Sequence, residues 1–239
     1  AEAALASPQE ELEAWLDARG HHLPALEGSR APALAPMTEG QAELASAAAR
    51  QMALAHLERA RADALALPLP RMQEALALHG CDPPKLLAEL GCDPARLFRR
   101  LAALPTGMSG LPPVGLAICD GSGTLVFRRA LAGFPFPRFG AGCPLWPLYQ
   151  VLAQPLTPVG RVLALAGRPD QRFATFAVAR PRQPAAGPLR PTRLRAVRRC
   201  ARVLPPRSRR AHGLPGARDP AARAERDHQG RPRPDHRRQ

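Results

Sequence analysis

The sequence predicts an α+β protein: a helical N-terminal region, then a small domain built as hairpin, helix and hairpin in the manner of ligand sensors, then a disordered Arg- and Pro-rich tail. Three observations carry this prediction. Up to Leu104 the apolar residues recur at helical spacing between proline and glycine breaks. From Val114 the period shortens to that of strands. After Arg180 neither period persists, and the chain becomes Arg, Pro, Ala and Gly.

Ser7 and Pro8, followed by Glu10, Glu11 and Glu13, read as the start of an amphipathic helix with Leu12, Trp15 and Leu16 on its apolar side and Gly20 at its end. His21 to Pro36 forms a Pro-rich connection. A long helix is expected from about Thr38, which would cap it, to Leu67, where Pro68 and Pro70 end it. Three short helices follow at about Arg71 to His79, Pro84 to Leu90 and Pro94 to Leu104. Gly80 and Gly91 separate them, and Asp82 and Asp93 stand as N-caps before prolines.

Two readings of LLAELGCDPARLFRRL compete. Its Ala-x-x-Gly turn suits a helix-turn-helix whose second helix would present Arg96, Arg99 and Arg100 to phosphates. The other reading is a plain helical hairpin that buries Leu97, Phe98 and Leu101.

Val114 to Cys119 and Thr124 to Arg128 read as strands around the turn Asp120-Gly121-Ser122-Gly123. GFPFPRFGAGC, from Gly133 to Cys143, cannot be regular, because its prolines lack donors and its glycines favour turns. Leu145 to Leu152 follows as a short helix. Val159 to Ala166 and Arg172 to Ala179 then form a second hairpin across Gly167-Arg168-Pro169-Asp170.

Charge is distributed unevenly. From Pro181 onward lie 17 of the 34 Lys and Arg but only 4 of the 20 Asp and Glu, which leaves 17 basic against 16 acidic residues before it. A nearly neutral body gives no electrostatic footprint for DNA, whereas the tail alone could act as a basic arm on nucleic acid. No run of 18 apolar residues occurs, so no membrane partner is expected, and a cytoplasmic setting is the expectation. Five scattered cysteines suit a reducing compartment. No H-E-x-x-H, G-x-S-x-G or P-loop sequence is present, and a thiol enzyme built on Cys143 would lack a histidine within its segment.

The run RFGAGCPLWPL, from Arg138 to Leu148, resembles the diagnostic segment of the short-chain fatty acyl-CoA regulators, bacterial transcription factors with an XRE-type helix-turn-helix at their N-terminus. The resemblance extends through SPQEELEAWLDARGHHLPAL, Ser7 to Leu26, and the helical stretch Leu67 to Leu104, and stops near Arg180. It implies a regulator of short-chain acyl-CoA or carboxylate metabolism, acting by binding and switching and not as an enzyme. It places the DNA-reading head, through which DNA would be the partner and the intact protein a homodimer, N-terminal to everything in this chain. On that basis the chain divides into an N-terminal helix and connection at 1–37, a helical linker at 38–110, an incomplete sensor domain at 111–180, and a tail at 181–239.

The resemblance also assigns chemistry. Arg128, Arg129, Arg138 and Arg161 are the cations nearest the expected pocket, where arginine would meet acyl-CoA phosphates, with Arg138 favoured between Pro137 and Phe139. Arg128 and Arg129 also read as solvated charges at a strand end, and Trp146 and Cys143 are expected to flank the ligand. In the resembled family, a cysteine at the place of Cys143 and three from a C-terminal motif resembling CRxCPRxxCPAR would supply four thiolates for an iron–sulfur cluster or zinc. This chain has no such motif in frame, so no cofactor is expected in it as written. The resemblance further implies another strand after Arg180, and a one-nucleotide frameshift in GC-rich coding DNA accounts for an Arg/Pro/Ala tract in its place.

Overall fold

Capping decides where the helices begin. A computed structural model describes residues 7–28, 32–137, 143, 145–155 and 157–180, and the backbone of 198–204. Helix α1 (Pro8–Asp17) opens on a reciprocal box: the Ser7 hydroxyl accepts from the Glu10 amide at 3.2 Å while the Glu10 carboxylate accepts from the Ser7 amide at 2.9 Å. Helix α2 (Ala47–Ala66) is capped by Ser46, whose hydroxyl accepts from Ala49 at 3.0 Å. The Ser46 amide donates to Glu11 Oε2 at 2.8 Å, which ties the two helices together.

The expected start of α2 at Thr38 is therefore corrected. Thr38 spends its hydroxyl on the Ala35 carbonyl at 2.9 Å, at the end of a 3-10 turn over Ala35–Met37, and Gly40 takes φ +66°. Helices α3 (Leu69–His79), α4 (Pro83–Leu90) and α5 (Pro94–Ala102) follow, each with proline in its first turn. Asp82 and Asp93 cap the last two by accepting from Lys85 and Arg96 amides at 3.3 and 2.9 Å. α4 and α5 form the plain hairpin, with Leu97, Phe98 and Leu101 in the core.

Strands β1 (Gly115–Cys119) and β2 (Leu125–Arg129) form the first hairpin, helix α6 (Pro147–Ala153) follows, and β3 (Val159–Leu165) and β4 (Arg168–Arg180) form the second. The sensor-like order of hairpin, helix and hairpin is thus present, in an α+β fold. In the Arg-rich stretch the described residues depart from the expectation of no regular structure. Arg198–Leu204 is a fifth strand, β5, antiparallel to β1 on one side and to β4 on the other. The sheet order is β2-β1-β5-β4-β3.

Alternation along β1 sends its residues to two cores. Leu116 and Ile118 join the large core of the helices with Phe127 and Val178. Ala117 and Cys119 join Leu148 and Val151 of α6, together with Leu125, Ala177 and Ala179. A bulge at Ile118/Cys119 pairs Cys119 with Leu125 and carries Leu125 to the α6 side, although Phe127 faces the helices. The centre of the sheet is therefore covered on both faces, by α1, α2 and α5 on one and by α6 on the other, while edge strand β3 stays largely exposed. No helix among the described residues is long and apolar enough to cross a membrane.

At the seam between helices and sheet, two histidines meet Phe127. His56 of α2 stacks on the ring at 5.4 Å, and His21 meets its edge at 6.3 Å while bonding Asp17 Oδ1 at 2.6 Å. Burial, reinforced by Arg59, His21 and Arg99, pushes the His56 pKa down to about 4; burial also lowers His21, against the opposing Asp17 bond.

Two measurements test this architecture. A chain ended after Arg180 loses both ladders of β5, and at about 0.5–1.5 kcal/mol per backbone bond it should unfold at lower denaturant by several kcal/mol; an unchanged urea midpoint would refute the place given to β5. For His56, the unfolded chain takes up a proton near pH 6.5 and the folded chain only near pH 4. Stability should therefore fall by up to about 3 kcal/mol as pH drops through that window, and His56→Phe should remove most of the dependence.

Candidate functional site

Strand β2 ends in two consecutive arginines that both reach back to the helices. Arg128 donates from Nε to Glu13 Oε2 of α1 at 2.7 Å and from Nη1 to the Pro137 carbonyl at 2.6 Å. Arg129 donates from Nη1 to the Ala102 carbonyl at the end of α5. Its side chain follows Phe127 by two positions and so lies on the helix-facing side of the strand. Only 9% of Arg129 is exposed, and burial lowers its pKa against the opposing influence of Asp17. Among the described residues it forms no ion pair with a carboxylate.

Arg129 stands on the wall between two cavities. The smaller, of about 40 Å³, lies at the seam and is lined by His21, His56, Asp63, Arg99 and Phe127 with Arg129. The larger, of about 300 Å³, lies between the end of α5, the connection to β1 and the residues after β2. Leu101, Leu104, Val114 and Leu131 give it apolar walls, and Arg129 is its one charged lining residue among those described. Such a space can enclose an apolar group and hold one negative charge against the guanidinium.

The residues expected from sequence occupy other places. Arg128 has its charge matched by Glu13 at the seam. Trp146 packs in an aromatic cluster, 5.2 Å from Phe134 and 6.0 Å from Phe136, with Phe173 5.2 Å from Phe134 on the far side. Cys143 is exposed, and its carbonyl accepts from the Trp146 amide at 3.0 Å. Arg138 lies outside the described residues. No group of three or more His, Cys, Asp or Glu among the described residues is arranged to hold a metal.

The α5 arginines turn mainly inward. Arg99 forms a two-pronged bond to Asp63, with Nε at 2.6 Å and Nη2 at 2.7 Å, and Arg96 approaches the same carboxylate at 3.4 Å. Arg100 is 2% exposed and donates to both oxygens of Glu27 and to the Leu67 carbonyl. Arg99 and Arg100 are thus structural partners of carboxylates and do not present a row of cations to a phosphate backbone. The sequence groups Arg129 with Arg128, Arg138 and Arg161 as cations near the pocket and also allows it as a solvated strand-end charge. Its burial corrects that second reading, for which the two-residue spacing from Phe127 was the visible signal.

No protein-family model and no curated protein matches this sequence. Among solved structures, the chain is similar to a Mycobacterium tuberculosis transcriptional regulator, with a TM-score of 0.55 and 22% identity, over 72% of this chain and 51% of that one. The chain spans about half the length of that neighbour, and what the two share at this identity is the fold.

Proposed function

We propose that this chain is the effector-sensing part of a bacterial transcriptional regulator that responds to a short-chain acyl-CoA. The observation that carries the reading is the fold shared with a protein described as a transcriptional regulator, over a region half that protein's length. Architecture adds support: the first hairpin meets the helices that precede it at a seam with cavities beside it and with Arg128 and Arg129 tethered across it. A ligand that spreads or closes this seam would change the relative free energy of two helix arrangements, and differential affinity for those arrangements is what switching requires.

In this reading the chain binds and switches and does not catalyse. DNA contact belongs to a further domain of the intact protein, which would be a homodimer. Arg138, Arg128, Trp146 and Cys143 remain the residues proposed to meet the coenzyme portion of the ligand. The rival reading is nucleic-acid contact through the Arg-rich tail together with Arg96, Arg99 and Arg100 of α5; only its α5 part is weakened, because Arg99 and Arg100 are engaged within the fold.

Thermal denaturation with acetyl-, propionyl- and butyryl-CoA, and with free CoA, tests the proposal. At a hundredfold excess over Kd an acyl-CoA should add about 2.7 kcal/mol, a rise of roughly 5–10 °C for a unit of this size. Glu13→Gln should bind the same ligand but transmit less protection to α1 in hydrogen exchange. No stabilisation by any thioester would sink the reading, and equal stabilisation by free CoA would remove the acyl group from recognition.

A further inference from the structure

A buried guanidinium without a counter-ion is costly, because an ionised group taken from water loses several kcal/mol unless a charge or a full set of hydrogen bonds replaces the solvent. Arg129 is buried, bonds one backbone carbonyl, and pairs with no carboxylate among the described residues. Its neighbours Arg99, Arg100 and Arg128 each have a carboxylate partner. Arg129 is set apart from them in a second way: it lines the cavity of about 300 Å³, whose other walls are almost wholly apolar.

We propose that this cavity is a binding site for a short aliphatic monocarboxylate, with the carboxylate held by Arg129 and the alkyl chain lying against Leu101, Leu104, Val114 and Leu131. The charge count selects the head group. One lining cation neutralises one negative charge, whereas a phosphate monoester would bring a second charge with no partner among the described lining residues. A planar carboxylate also accepts two parallel bonds from a guanidinium. The volume, at the lower end of small-molecule sites, limits the chain to a few carbons. Thr106, the other polar side chain on this wall, can donate to the same head group.

The inference rests on the cavity and its cation and stands apart from the regulator reading. Failure of acyl-CoA to bind leaves it intact, and its own failure leaves that reading intact.

Calorimetric titration of the full chain with sodium butyrate, its neutral isostere butyramide, and butyryl-CoA distinguishes the possibilities. Butyrate should bind saturably and butyramide about tenfold more weakly or worse. Arg129→Gln should raise the butyrate Kd by about 10- to 100-fold and abolish the distinction between acid and amide. Should that variant fail to fold, Ala132→Phe decides: Ala132 is exposed at the cavity mouth, and a phenyl ring there should block both ligands in a folded protein. Butyrate binding no better than butyramide, or unaltered in Ala132→Phe, overturns the proposal. So does butyryl-CoA binding more tightly than butyrate and dependent on Arg129, since the head group would then be a thioester.

Discussion

The helical layer depends on one buried cation. Arg100 sits in the last turn of α5, 2% exposed, and its guanidinium serves three acceptors: both oxygens of Glu27 and the carbonyl of Leu67. Glu27 follows the 3-10 turn Pro24–Leu26, and Leu67 is the residue at which α2 ends. One side chain therefore pins the Pro-rich connection, the end of the longest helix and α5 at a single point. Taking such a charge out of water is repaid only by good geometry and full hydrogen bonding, and removing one member would strand the other. The pair fixes which arrangement of helices is allowed more than it adds to stability. Apolar packing of Leu97, Phe98 and Leu101 around it supplies most of the burial energy.

From that point the order passes to the sheet. α5 is held to α2 by the Arg99 bond to Asp63, and its final carbonyl receives Arg129 from β2. α1 reaches the same strand through Glu13 and Arg128. Two adjacent residues of one strand thus grip two helices that lie far apart in sequence. Between the grips the seam is filled by His56 and His21 on Phe127, and burial disfavours the charged form of each, most strongly for the stacked His56. A seam made of a few polar grips and small cavities can shift by discrete rearrangement, in a way that the close-packed helical core cannot.

What the sequence disclosed was local. Ser7, Asp82 and Asp93 cap helices through bonds that span three residues, and the prolines beside them mark the same boundaries. The start of α2 was misplaced because Thr38 and Ser46 are both competent caps, and only the Ser46 amide's bond to Glu11, 35 residues away, selects between them. Both hairpins were legible from alternation and glycine turns, but the bulge that reverses Leu125 was not, since it depends on the register with β1. Arg128 read as a free cation because Glu13 lies 115 residues earlier. Arg129 could be assigned to the face of Phe127, yet its burial depends on the end of α5, which no local pattern reveals.

The least legible element is the one at the centre of the sheet. β5 comes last among the described residues and carries three arginines in seven residues, a composition that argues against a strand in a two-sided sheet. Its place follows from what surrounds it. β1 and β4 each belong to a hairpin that leaves one edge open, and each needs partners for the amides and carbonyls along that edge. A backbone ladder supplies them whatever the side chains, so the seven residues close both edges at once. The pairing of Ile118 and Val178 with the same residue, Cys200, also fixes the two hairpins in register, which sets both residues into the helical core. β5 is consequently what makes one surface of the two hairpins, and the seam at β2 is in contact, through β1 and β5, with the far edge at β3.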